Sequence, residues 1–360
     1  MLRKLVIFMA VGVVCEFNPF HSGHKYLIDS LKSKGESVVC CMSGNFVQRG
    51  EFAIYDKFKR TEAAIKGGAD LVIELPAKCS TLSAEGFAKS SINLLESTGI
   101  VNKIAFGAEY DNVDELKKAA NLLNDEETQK QISDEMKSGV SYPVARKNVL
   151  NTDLLDTPNN ILAVEYLRFT NLEPIAIKRI GKGHDTDDAE YSASAIRNNL
   201  KNDNICSMKN CETAILAKLR QMSAEDFLKT ADVNEGLENR IVNAVRNASS
   251  LDELYDLIKT KRYTMARIRR IVLRSYLSIT TGNDEKAPYI RILGFNNEGK
   301  KLLSDMKKNA KKPIITKISD CDDTNRKYFE DECRYTDLYN LGYKKPLPCG
   351  TEQRSKIMII

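Results

Sequence analysis

The sequence predicts an α/β protein, with a doubly wound parallel sheet over residues 1–200 followed by a mainly α-helical, basic region over residues 201–360. Three observations carry this. Short apolar runs at residues 11–15, 37–42, 70–75 and 101–106 have the length and composition of strands buried on both faces. Amphipathic stretches of helical period separate them, which is the β-α-β rhythm of a parallel sheet. Beyond residue 205 the helical period is almost unbroken until residues 289–295. Sheets of this kind bind ligands beyond the carboxyl ends of their strands, near the reversal of strand order.

Taken in order, the first strand ends in Glu16-Phe17-Asn18-Pro19-Phe20-His21-Ser22-Gly23-His24, after which Tyr26, Leu27, Ile28 and Leu31 recur at helical spacing. His21 and His24 therefore sit where a strand hands over to a helix. A helix start offers unpaired N–H groups and partial positive charge, which suits phosphate, and Gly23 lets a ligand approach the backbone. The second strand runs into the polar turn Ser43-Gly44-Asn45-Phe46-Val47-Gln48-Arg49-Gly50-Glu51. Residues 57–67 are helical, ending at Gly67-Gly68, and the third strand is closed by Pro76. A helix over 84–96 leads to the fourth strand and Gly107-Ala108-Glu109. Residues 112–149 read as a charged helical insertion capping the sheet. Thr157 is placed as the N-cap of the next helix with Pro158 at its first position, and residues 174–179 form a fifth strand.

The loop Gly181-Lys182-Gly183-His184-Asp185 then precedes Tyr191-Ser192-Ala193-Ser194-Ala195-Ile196-Arg197, two hydroxyls and an arginine at a helix start. Ser192 and Ser194 read either as ordinary caps or, with Arg197, as a phosphate grip. His184 reads equally as a surface residue or a ligand. Later, Lys259, Lys261, Arg262, Arg267, Arg269, Arg270 and Arg274 follow one another with no acidic residue between. Arg267, Arg270 and Arg274 share a helical face, while Ile268, Ile271 and Val272 face a core. A solvated face explains such a cluster, but with the lysines at 300–312 it points to a surface for nucleic-acid phosphates, with Arg262, Arg267, Arg270 and Arg274 as candidate RNA-binding residues.

With 360 residues, two domains are expected. The formal net charge of +5 means that affinity for nucleic acid depends on where charge lies, not on its total. Nine scattered cysteines without a C-x-x-C pair read as reduced thiols in a cytoplasmic protein, without a disulfide framework or zinc site. Arg3 and Lys4 before an apolar run resemble a signal peptide, yet no small-residue cleavage site follows and cleavage would remove the first strand; Met9 is an alternative start. No apolar stretch reaches the roughly 18–20 residues that span a bilayer, so no membrane partner is expected.

The only three histidines include the H-x-G-H pair, and His21 and His24 are the candidate catalytic residues. They would stabilise charge on a reacting phosphate by positioning and neutralisation. The competing reading makes them helix caps or core residues. A metal role is poor, because H-x-x-H here lacks the glutamate of H-E-x-x-H.

The stretches from Glu16 to His24, Ser43 to Glu51, Phe106 to Glu109, Pro158-Asn159-Asn160-Ile161-Leu162 and Ser192 to Arg197 together resemble the bacterial tRNA(Met) cytidine acetate ligase family, part of the H-x-G-H nucleotidylyltransferase superfamily. The resemblance runs through Arg262 to Arg274 and Ile290 to Asn296 and implies a Rossmann-like catalytic domain over 1–200 and a helical tRNA-binding domain over 201–360. It implies ATP-dependent activation of acetate as acetyl-adenylate, with release of pyrophosphate, then acetylation of N4 of the wobble cytidine in elongator tRNA(Met). The ATP site carried over by motif comprises Val14, Cys15, Glu16, Phe17, Asn18, Pro19, Phe20, His21, Ser22, Gly23, His24, Lys25, Tyr26, Leu27, Gly107, Asn159 and Arg179, with Ser192, Ser194 and Arg197 on the pyrophosphate side. Mg2+ is expected to come with the nucleotide and not from a dedicated protein site. Tyr191 and Ser194 stand where the family more often has isoleucine and threonine, which preserves the hydroxyl. Two other readings remain at this point: a nucleotidylyltransferase acting on a small phosphate ester, and a non-catalytic RNA-binding protein. The basis of acetate selectivity and the oligomeric state stay open.

Overall fold

The apolar run after Met9 forms β1 (Ala10–Cys15), an inner strand of an eight-stranded sheet, in a computed structural model that describes residues 9–179, 205–234, 236–282 and 286–360. His184, Ser192, Ser194 and Arg197 lie outside the described residues. Val11 and Val13 pack with Ile28 and Leu31 of α1 (Ser22–Lys32), both fully buried and contributing about 1.5–3 kcal/mol each. On the other face Gly12 makes room for a helix, since a Cβ there would lie 2.9 Å from Leu95 Cδ1 and 3.0 Å from Val101 Cγ1.

The chain continues through β2 (Ser37–Ser43), the small hairpin β3 (Phe46–Val47) and β4 (Glu51–Phe52), α2 (Lys57–Lys66) and β5 (Leu71–Leu75). Asp56 caps α2 by accepting the Phe58 and Lys59 N–H groups, both at 2.9 Å. After α3 (Ala77–Ser80) and α4 (Ala84–Ser97) the chain crosses to the far side of β1 as β6 (Val101–Ala108). The expected insertion is three helices, α5 (Val113–Asn124), α6 (Glu126–Met136) and α7 (Tyr142–Leu150). Then come α8 (Pro158–Phe169) and β7 (Glu173–Lys178). Strands β5, β2, β1, β6 and β7 are mutually parallel, and the strand order reverses between β1 and β6.

Residues 212–277 carry α9 (Glu212–Arg220), α10 (Ala224–Leu228), α11 (Leu237–Asn247), α12 (Leu251–Ile258) and α13 (Met265–Leu277), which share a core of their own. That core takes in Phe46 and Phe52 from the hairpin, so the helical body is packed onto the turn that follows β2. The chain then departs from the expected helical domain over 201–360. Strand β8 (Ile290–Phe295) pairs antiparallel with β5, and α14 (Asn297–Asn309) sends Leu302 and Met306 into the main core. β9 (Ile314–Ile315) and, after α15 (Asp323–Tyr339) and α16 (Thr351–Arg354), β10 (Met358–Ile359) extend the sheet beside β8. The physical reason is that β5 has a free edge, and the apolar run at 290–295 is buried along nearly its whole length once it covers that edge. All nine cysteines are free thiols, eight of them buried. Among the described residues no helix is long and apolar enough to cross a membrane.

Candidate active site

The carboxyl ends of β1, β6 and β7 open into a cavity of about 1060 Å³, walled by the start of α1, the turn after β3, α7, α8 and the start of α13. His21 is the N-cap of α1, and its Nδ1 accepts the Gly23 N–H at 3.1 Å. His24 reaches back so that its Nδ1 accepts the His21 N–H at 3.3 Å. The rings stack with centroids 3.7 Å apart. The pair thus does cap the helix, and the capping and ligand-binding readings are compatible. With its Nδ1 committed as an acceptor, the proton of a neutral His24 ring sits on Nε2, which can donate to an anion. Burial, aided by His21 and by the Arg179 guanidinium, holds the His24 pKa well below the usual histidine range, so the ring is neutral near pH 7.

Glu16, at the end of β1, turns toward β2. Its Oε1 accepts the Gln48 N–H at 2.7 Å and the Ser43 hydroxyl at 3.2 Å, and burial raises its pKa despite those two bonds. The turn is held from beneath by Arg60 of α2, only 1% exposed. Its guanidinium donates to the carbonyl oxygens of Glu16 at 2.6 Å, Ser43 at 3.0 Å, Tyr55 at 2.9 Å and Gly44. Asn18 Oδ1 accepts the Ile54 N–H at 2.8 Å, tying the same turn to the segment after the hairpin.

Across the reversal point, the segment at the start of α8 grips the turn after β6. Asn160 Oδ1 accepts the N–H groups of Glu109 and Tyr110, while Thr157 and Asn159 donate to the two carboxylate oxygens of Glu109. Thr157 stands at the N-cap position as expected, but its hydroxyl serves Glu109 instead of the helix end. Arg179 follows β7, with its N–H bonded to the Ala108 carbonyl and its Nε 3.9 Å from Glu109. A Cβ on Gly107 would find its nearest neighbours at 3.5 Å or more, so this turn leaves open space beside β6.

Of the expected nucleotide-site residues, Val14, Cys15, Glu16, Phe17, Asn18, His21, Gly23, His24, Tyr26, Leu27, Gly107, Asn159 and Arg179 line the cavity. Pro19, Phe20, Ser22 and Lys25 do not: Phe20 packs edge-on against Phe17, and Lys25 pairs with Asp29 at 2.7 Å on the outer face of α1. A contiguous stretch cannot all face one ligand once it winds into a helix. Arg262, just before α13, and Arg267 and Arg270 within it line this same cavity, whereas Arg274, expected with them, is 1% exposed and donates to the Lys78 carbonyl and Thr81 hydroxyl. The shared face of Arg267, Arg270 and Arg274 points at the sheet domain, so its last member is sealed in the contact. Arg270 pairs with Asp232 at 3.2 Å, and Arg267 donates to the Asp232 carbonyl and to Asn234.

Several cavity residues had no signal in the sequence. Glu165 (α8) meets Arg168 at 2.7 Å and Arg146 (α7) at 3.8 Å, with Tyr142, Tyr166, Phe87 and Phe106 close by in the same wall. They lie in ordinary amphipathic helices, where a charged residue is indistinguishable from a solvated one until the helices are packed. Arg60 was equally hidden, and only the four carbonyls around it reveal its role.

Comparison with known proteins agrees with this geometry. The HIGH Nucleotidyl Transferase family matches residues 8–215 and 201–354. The tRNA(Met) cytidine acetate ligase of Acetivibrio thermocellus is 36% identical over 412 residues, covering 97% of this chain and 99% of its own length. That of Clostridium novyi is 38% identical over 357 residues, covering 85% of this chain and 89% of its own. The crystal structure of Thermotoga maritima TmcAL bound with alpha-thio ATP superposes with a TM-score of 0.88 at 30% identity, over 98% of this chain and 100% of that one. The chain belongs to the tRNA(Met) cytidine acetate ligase family of HIGH nucleotidyl transferases.

Proposed function

We propose that this protein is an ATP-dependent tRNA(Met) cytidine acetate ligase. It joins acetate to ATP as acetyl-adenylate, releases pyrophosphate, and passes the acetyl group to N4 of the wobble cytidine of elongator tRNA(Met). The observation that carries the reading is the stacked His21 and His24 pair at the start of α1, each with Nδ1 accepting a backbone N–H, on the wall of a large cavity. Imidazole donors beside a helix N-terminus stabilise charge on an α-phosphate and on the departing pyrophosphate without a protein nucleophile. The groups present suit a nucleotide: open backbone at Gly107, the Asn159 and Arg179 side chains beside it, and the helix dipole.

The acetate oxygen attacks the α-phosphorus in line and pyrophosphate leaves. The cytidine amine then attacks the mixed anhydride and AMP leaves. At about 1060 Å³ the cavity lies just above the range of roughly 300–1,000 Å³ usual for one small ligand, which leaves room for an acceptor base beside the adenylate. Met136, Ser141, Tyr142, Pro143 and Arg146 of the insertion roof it, limiting water access to a hydrolysable intermediate. The wobble base lies in a single-stranded loop and enters at little unpairing cost. Arg262, Arg267 and Arg270 would meet the RNA backbone at the mouth. Mg2+ would arrive with the nucleotide and offset phosphate charge; among the described residues no group of three or more His, Cys, Asp or Glu side chains is placed to hold a metal.

The test is direct. Protein, ATP, Mg2+, labelled acetate and bulk tRNA are incubated, and digested nucleosides are analysed by mass spectrometry. N4-acetylcytidine is expected with wild-type protein and at a far lower rate with His24→Ala; its absence with wild type would refute the reading.

A further inference from the structure

Acetyl transfer to an amine releases a proton, and the cavity must supply a group to receive it. The two histidines do not fit, because each Nδ1 already accepts a backbone N–H and Nε2 holds the ring proton. The carboxylates around the cavity can be taken in turn. Both oxygens of Glu109 are bonded, to Thr157 and Asn159. Glu165 is held by Arg168 and Arg146, Glu85 lies 3.4 Å from Arg168, Glu51 is paired with Arg269, and Asp232 with Arg270.

Glu16 differs from all of them. Among the described residues it has no ion-pair partner, and both of its hydrogen bonds go to Oε1. Oε2 receives none. The carboxylate lines the cavity at the end of β1, with the histidine pair one turn further along the chain, and is close enough to Tyr166 in the aromatic wall for their charges to interact.

The geometry points to Glu16 as the general base of the acetyl-transfer step, with Oε2 taking the proton from the attacking cytidine N4. This rests on the proposed tRNA acetylation. In the step, the N4 lone pair forms the new C–N bond to the acetyl carbonyl carbon, the C–O bond to AMP breaks, and AMP leaves with the electron pair. The N4 proton passes to Oε2, and the resulting neutral carboxyl returns it to water. Burial is the main cause that lifts the Glu16 pKa, and this makes it a better base than an ordinary surface carboxylate while Arg60 and Arg49 keep it from rising further. Arg60 from α2, Arg49 from the hairpin turn and Tyr166 from α8 are the charged and titratable groups facing it among the described residues.

The experiment uses E16Q, in which the amide oxygen can still accept from Gln48 and Ser43 while no proton acceptor replaces Oε2. Two rates are measured on the full-length protein: acetate-dependent ATP–pyrophosphate exchange, and single-turnover acetyl transfer to tRNA(Met). The expected result is transfer lowered by roughly 10²–10⁴-fold, at least tenfold more than exchange is lowered by the same change in the nucleotide cavity. Undiminished transfer, or exchange lowered as much as transfer, overturns the assignment. Should E16Q misfold, the wild-type enzyme still decides. Transfer should fall with acidity through an apparent pKa above the ordinary carboxylate range, with no such limb in exchange; a pH-flat transfer step overturns it. If wild type yields no N4-acetylcytidine, the functional reading fails; if wild type acetylates and E16Q transfers equally well, only the role of Glu16 fails.

Discussion

Replacing Arg60 tests whether the site turns are held by one buried side chain. Its guanidinium serves four backbone carbonyls, three of them in the turns after β1 and β2. In Arg60→Met the aliphatic stem remains and four acceptors lose their donor. At about 1–1.5 kcal/mol each this amounts to roughly 4–6 kcal/mol, offset by about 1–2 kcal/mol because a charge no longer has to be buried. The net loss of folding stability is therefore about 2–5 kcal/mol, or roughly 3–7 °C in Tm for a chain of this size. Arg60→Lys keeps the charge without the planar fork and should fall between the two proteins. Urea unfolding with a constant slope measures the stability, and the KM for ATP in pyrophosphate exchange measures the site, which should worsen as the Glu16 turn loosens. A melt of Arg60→Met within 1 kcal/mol of wild type would refute the claim that Arg60 organises these turns.

Other expectations follow from individual groups. His24→Ala should lower acetate-dependent pyrophosphate exchange by roughly 10²–10³-fold, read by radiolabel incorporation into ATP. The folded-state pKa of His24 is lowered, so between the unfolded value of about 6.5 and the lower folded value the unfolded chain binds the extra proton. Stability is then complete above about pH 6.5 and is lost as pH falls, a loss that His24→Gln should reduce in urea melts at pH 5–7. The Glu332 carboxyl is shifted the opposite way, raised by burial and by Glu74, so its contribution is present at low pH and lost as pH rises through the folded value. Glu332→Gln should flatten stability against pH above the ordinary carboxylate range. Arg262→Ala with Arg267→Ala should weaken tRNA binding and reduce its salt slope by about one to two, whereas Arg274→Met should cost stability, by about 3–5 kcal/mol, and leave the salt slope unchanged.

The parallel half of the sheet was legible because strands buried on both faces are unbroken apolar runs, and β1, β2, β5 and β6 stand where residues 11–15, 37–42, 70–75 and 101–106 predict them. The histidine pair was legible because H-x-G-H concentrates two of three imidazoles at one strand-to-helix turn. The antiparallel partner of β5 was not. Ile290 to Phe295 reads as an isolated apolar run, and nothing local says that it returns across more than 200 residues to cover a sheet edge. Arg274 shows the same limit on a single helix: spacing places Arg267, Arg270 and Arg274 on one face, but only packing decides that the face meets the sheet domain and not solvent.

The buried ionic cluster beneath the site explains why so distant a C-terminus takes part in it. Lys57 begins α2 and pairs with Glu74 of β5 at 2.6 Å and with Glu352 of α16 at 2.8 Å, while Arg291 of β8 meets Glu352 at 3.0 Å. Glu332 of α15 accepts the Ala77 N–H at 3.0 Å, and Thr336 links Glu352 to Asn45, which in turn accepts the Lys57 N–H. Three carboxylates face two cations, and burial together with the neighbouring Glu74 carboxylate pushes the Glu332 pKa up to about 8. Separating these charges would leave unpaired ions in the interior at several kcal/mol each, far more than a surface contact of the same size could cost. The turn Ser43 to Gln48, which positions the Glu16 carboxylate, is therefore braced from below by residues of α15 and α16. Loss of the last helix should disturb acetyl transfer as well as folding, because the brace and the base share one turn.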